Sequence, residues 1–139
     1  MRLLVALSFL VAGCQAAAPL VDVAPVSSDG LTLTADKDAY ARGETARLDL
    51  RNGGTATATT GVLECAHIER WTGAAWERSA EGNDRACIMI ARILQPGESM
   101  TGAVPLDVPA GAYRLTQGVS VEGSETGVSV STGSFRVGG

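Results

Sequence analysis

From Leu31 onward the chain alternates apolar and polar residues with a period of two. Leu31, Leu33 and Ala35 are separated by Thr32 and Thr34, and Ala46, Leu48 and Leu50 by Arg47 and Asp49. That is the pattern of strands with one face in a core and the other in water. Tyr113, Leu115, Gln117, Val119 and Val121 repeat it, as do Met100 to Leu106 and Val128 to Val137, where Phe135 and Val137 are expected to point inward. Gly61 to Ile68 is expected as a further strand, and Trp71 to Trp76 as a hairpin turn. Cys87-Ile88-Met89-Ile90-Ala91 is apolar at every position, which predicts a central strand covered on both faces. Turn signals such as Asn52-Gly53-Gly54, Glu81-Gly82-Asn83-Asp84, Gln95-Pro96-Gly97-Glu98 and Glu122-Gly123-Ser124-Glu125 punctuate these runs. Short strands separated by such turns, with no window of helical period, predict an all-β sandwich of about seven to nine antiparallel strands.

The first thirty residues have a different texture. Arg2 precedes an apolar run from Leu3 to Ala12 broken only by Ser8. A membrane-crossing helix needs ~20 apolar residues, so a run half that long fits a secretory leader instead. Gln15 to Gly30 is rich in small residues and contains Pro19, Pro25 and Ser27-Ser28-Asp29-Gly30, which predicts a flexible tether. Fully extended it would reach ~50 Å. The alternative is that Leu20 to Val26 docks on the domain as an edge strand.

Val11-Ala12-Gly13-Cys14 resembles the lipobox of bacterial lipoproteins, in which a peptidase cuts before a diacylglyceryl-cysteine. A conventional cut after Ala16-Ala17-Ala18 competes with it, but Pro19 would then follow the scissile bond. The resemblance implies a signal peptide over residues 1–13 and a lipid anchor on Cys14. Three cysteines leave an odd thiol in an exported chain. With Cys14 assigned to lipid, Cys65 and Cys87 remain as a pair in a compartment that permits disulfides. Gln15 is not the aspartate that favours retention at an inner membrane. The resemblance therefore implies the cell envelope, at the outer membrane and facing the periplasm where two membranes exist.

Composition adds exclusions. The net charge of -4 becomes about -5 once Arg2 is removed, and Lys37 is the only lysine. No basic stripe is present, so nucleic acid is not an expected partner. The 139 residues suit one domain rather than two.

An ordered set of residues resembles a class of bacterial immunoglobulin-like domains related to the intracellular proteinase inhibitor family. It consists of Tyr40-Ala41-Arg42-Gly43-Glu44, an apolar strand ending at Asn52, then Cys65, Gly73, Trp76 and Cys87. Gln95-Pro96-Gly97-Glu98, Gly111-Ala112-Tyr113-Arg114-Leu115 and Phe135-Arg136-Val137 complete it. The resemblance spans Leu31 to Val137 and implies an immunoglobulin-like β-sandwich over residues 31–139, after a lipidated tether at 14–30. In antibody domains the disulfide pins two sheets together. The short interval from Cys65 to Cys87 instead implies a staple across a local excursion.

Candidate chemistry is thin. His67, the only histidine, lies near Cys65, Glu64 and Glu69, but a metal set needs several free donors and the thiols are assigned to a disulfide. Met89 and Met100 carry soft donors, but Met89 stands in an apolar run where core packing is the plainer role. A paired cysteine has no thiolate to attack with, and no serine stands in a Gly-x-Ser-x-Gly elbow. No catalytic residues, metal or cofactor are expected. Tryptophan and arginine are enriched at binding hot spots, so Trp71 and Trp76 with Arg70, Arg78 and Arg85 form the candidate partner-binding surface. At least one tryptophan is expected to cap the core beside the disulfide; for Trp76 that is the favoured role, while for Trp71 the two roles weigh evenly. These features lead to the expectation of a non-catalytic envelope protein that binds a protein or envelope component. Envelope protease inhibition and a structural place in a larger assembly are the alternatives.

Overall fold

A computed structural model of the chain describes residues 23–139; the leader, Cys14 and the first part of the expected tether lie outside them. In chain order the strands are β1 (Leu31–Ala35), β2 (Ala39–Ala41), β3 (Thr45–Asn52), β4 (Ala58–Thr60), β5 (His67–Trp71) and β6 (Trp76–Arg78). They continue with β7 (Arg92–Leu94), β8 (Ser99–Pro105), β9 (Gly111–Val121), β10 (Val128–Ser131) and β11 (Phe135–Gly138). A single 3-10 turn, Leu63–Cys65, is the only helical element among the described residues. The all-β expectation holds. The strands number eleven because β2, β4, β6 and β7 are three-residue pieces, too short to carry a legible alternation.

β1, β3 and β8 form a three-stranded antiparallel sheet in the order β1-β3-β8. The larger sheet runs β2-β11-β9-β4-β7, with β5 and β10 also on β9 and β6 on β5. Its pairs are antiparallel except β11 with β2, which is parallel. Alternation along each strand sends Leu31, Leu33, Leu48, Leu50 and Val104 inward from one sheet, and Ile68, Tyr113, Leu115, Phe135 and Val137 from the other. The two inner faces make one core, as in a sandwich. Tyr113 and Phe135 stack within it, and the Tyr113 hydroxyl donates to the Pro109 carbonyl at 2.7 Å. Its polar end is thereby satisfied at the corner entering β9. Asn52, almost wholly buried, donates to the carbonyls of Ala56 and Leu94 and accepts from Gly54 N–H. One amide thus joins the end of the smaller sheet to the edge of the larger one.

Four segments depart from the alternation. Gly61 to Ile68 does not run as one strand: the 3-10 turn intervenes, and Leu63 packs where a Cβ on Gly102 would approach to 2.5 Å. Glycine at that point of β8 makes room for the turn. Val128 to Val137 is split at Thr132, whose N–H donates to Leu115 O while its hydroxyl accepts from Leu115 N–H. A side chain there replaces one link of the ladder. At the start of the described chain, Val26 pairs with Ser131, and Val23 exchanges hydrogen bonds with Ser134. That end of the expected tether lies along the domain.

The fourth departure is the largest. Cys87 to Ala91 is not a central strand; it lies outside the sheets, with Ile88 67 % and Met89 97 % exposed. The placement of Met89 in the core is corrected with it. The reason is connectivity. Cys87 is bonded to Cys65 in the 3-10 turn, with Cα atoms 5.6 Å apart, and that holds the segment off the sheet plane. Only at Arg92 does the chain rejoin β4, as the edge strand β7.

Candidate functional site

β5 and β6 form a hairpin in which Trp71 faces Trp76, Arg70 faces Glu77 and Glu69 faces Arg78. Thr72 shapes its turn, its hydroxyl accepting from the N–H groups of Ala74 and Ala75. Because side chains alternate, Ile68 enters the core while Glu69 and Trp71 stand on the opposite, outer face. Neither tryptophan caps the core: both are partly exposed, with ring centroids 5.4 Å apart and planes tilted by 54°.

β9 completes this surface from the other side of β5. Its register sets Arg114 opposite Glu69, and the two side chains pair at 2.6 Å. The Arg114 guanidinium also lies 4.9 Å from the centre of the Trp76 ring. A cation over a tryptophan face and a carboxylate on the same cation fix all three side chains. The result is a patch of Trp71, Trp76, Arg78, Arg114 and Glu69 that carries apolar area, donors and an acceptor on a rigid backbone.

The five residues expected on a binding surface therefore separate. Trp71, Trp76 and Arg78 are brought together. Arg70 projects to the other side of the hairpin, over the Tyr113 ring at 5.9 Å and within reach of Ala110 O. Arg85 is held within the loop between β6 and β7, donating to the carbonyls of Glu64, Ala66 and Gly82. Partial burial pulls its pKa down. These bonds make it the internal brace of that loop rather than part of the patch. Arg114 and Glu69 were not foreseen, because the 45 positions between them are bridged only by strand pairing.

His67 starts β5, and burial together with the charges of Arg78 and Arg85 lowers its pKa. Cys65 and Cys87 are joined in the disulfide. Among the described residues no three His, Cys, Asp or Glu side chains gather as a metal set. None of the helices there is long and apolar enough to cross a membrane.

Beside the disulfide, Ile88, Met89, Ile90 and Ala91 overhang the outer face of β4 and β9. They border a cleft of about 420 Å³ whose floor is Thr59, Gly61, Gly118 and Ser120.

Comparison with known proteins gives a family and little more. No curated protein matches the chain. Among solved structures, the ASH / PapD-like domain of human CEP192 (PapD-like domain 7) aligns over 96 % of both chains at 15 % identity, with a TM-score of 0.38. Residues 27–135, nearly the whole sandwich with its hairpin patch, match the bacterial Ig-like domain family, and the chain belongs to that family.

Proposed function

We propose that this protein is an envelope lipoprotein, anchored through lipid on Cys14, whose Ig-like domain docks a protein or envelope component on the outer face of the β5–β6 hairpin. An Ig-like domain suits a binding or structural module, and membership of a bacterial Ig-like family supports an extracellular or envelope setting. The observation that carries the binding role is the placement of Trp71 and Trp76. Two large rings sit on the outside of a sheet, preordered by each other and by Arg114. Preordered aromatic and arginine side chains lose little freedom on binding, which is the profile of a hot spot.

The test is a pull-down from envelope extract with the native chain and with Trp71→Ala/Trp76→Ala. The native chain should retain a partner that the double variant loses; recovery of the same set by both removes this surface from the proposal. Protease inhibition would need a protruding loop in extended form, and the Cys87–Ala91 loop is one exposed candidate. There the Ile90 N–H donates to Ile88 O, a tight turn at Met89 rather than the extended backbone a protease cleft accepts. A panel of secreted serine proteases is expected to show no inhibition at micromolar protein. If the domain instead builds a larger assembly, crosslinking in cells would return one abundant partner.

A further inference from the structure

Four of the five exposed large apolar side chains among the described residues fall between positions 88 and 93. They are Ile88 at 67 %, Met89 at 97 %, Ile90 at 45 % and Ile93 at 63 % exposure. Single exposed apolar residues are ordinary, but a contiguous group marks a contact surface. Met89 forms the tip, because the Ile90 N–H to Ile88 O bond reverses the backbone there at 2.9 Å. The base is fixed by the Cys65–Cys87 bond and by the three carbonyls that Arg85 holds. A covalent staple and a buttressed arginine keep this apolar tip out in solvent.

We infer that the Ile88–Ile90 tip and Ile93 form a second membrane contact, dipping into the lipid surface to which the chain is anchored. The inference rests on the lipid anchor proposed for Cys14. Eight residues, 15 to 22, separate Cys14 from Val23, and fully extended they span less than ~30 Å. A domain on so short a leash is confined within reach of the bilayer. An apolar tip facing a bilayer finds a solvent that favours it. The exposed Arg92, which follows the tip, has a long stem suited to carrying its charge at headgroup level.

Two features favour lipid over a second copy of the chain. The four side chains offer a few hundred Å² at most, below the ~800 Å² per partner of a stable protein interface, whereas a bilayer can take in a single turn. The adjoining edge strand β7 has only three residues, a short ladder for pairing with another copy. The acidic net charge, -4 for the full chain and more negative without Arg2, also makes this an apolar contact rather than an attraction to anionic headgroups.

The test uses the full chain as purified from the membranes of its native cells, on vesicles of phosphatidylethanolamine and phosphatidylcholine. An environment-sensitive fluorophore is placed on Met89→Cys and, as a control, on Ala74→Cys at the tip of the β5–β6 hairpin. Both positions are exposed, so neither change should disturb the fold. The label at 89 should shift to shorter wavelength on vesicles, be quenched by nitroxide-bearing acyl chains, and resist added salt, while the label at 74 remains water-like. A chain that floats with vesicles while both labels stay water-like overturns the contact and leaves the anchor standing. A chain that does not float overturns the anchor and this contact together. A shift at 89 that follows protein concentration and ignores the nitroxide lipid would assign the tip to a second copy instead.

Discussion

Asp36 closes the turn between β1 and β2 by accepting the Tyr40 hydroxyl at 2.7 Å and the Arg47 N–H at 2.9 Å. The Tyr40 bond, followed by that from Arg47, pulls its carboxyl below the ordinary value of 3.8. Burial, reinforced by the same carboxylate, pushes Tyr40 well above the ordinary phenol range, so it stays a donor at neutral pH. A carboxyl whose folded pKa is depressed adds stability above its unfolded pKa, and loses it as pH falls through the folded one. Asp36→Asn should therefore be less stable than the native chain at pH 7. The gap should narrow as pH drops below about 4, as read from urea midpoints across that range. A gap independent of pH would assign the cost to lost geometry rather than lost charge. Nothing in the sequence spacing joined Tyr40 to Asp36. For Met89 the apolar character was legible and the surroundings were not, since hydropathy is the same whether a residue faces a core or water.

At the scale of elements, the strands that alternate over five or more residues were readable. β1, β3 and β9 fall where Leu31, Leu48 and Leu115 place them. The unreadable ones are those whose form depends on a distant neighbour. Leu63 and Cys65 turn in 3-10 form because Gly102 leaves space beneath them. The run Cys87–Ala91 leaves the sheet because it is stapled to that turn. A loop closed over 22 positions restrains the unfolded chain by about 3 kcal/mol in a chain-entropy treatment. Cys65→Ser/Cys87→Ser should lower the unfolding free energy by about that amount, measured by urea titration against the native oxidised chain. Protease nicking should then concentrate between residues 80 and 91. Unchanged stability would mean that Arg85 and the packing of Leu63 hold this excursion without the covalent bond. The candidate patch shares this dependence on neighbours. Its tryptophans were visible as a spaced pair, while Glu69 and Arg114 joined them only through the pairing of β5 with β9.

For the molecule as a whole, the sandwich was legible because it is the sum of many local alternations. What it binds is not written in the same way, since the fold supplies a scaffold and the outer faces supply the use. The anchoring proposal has the simplest check. Intact-mass measurement of native material should find an N-terminal cysteine carrying diacylglycerol or three acyl chains, and alkylation without reductant should leave Cys65 and Cys87 unmodified. An unacylated terminus, or two alkylated thiols, overturns the anchored and oxidised picture.

The long strand β9 pairs with β4, β5, β10 and β11, yet it occupies residues 111–121, late in the chain. A polypeptide emerging amino end first can close the β1–β3 ladder early. The partners of the larger sheet must wait for their common member to arrive. Such long-range pairing makes folding slow, so the chain remains threadable until its last fifth is out. Under the export proposed for this chain, that delay suits passage through a narrow channel.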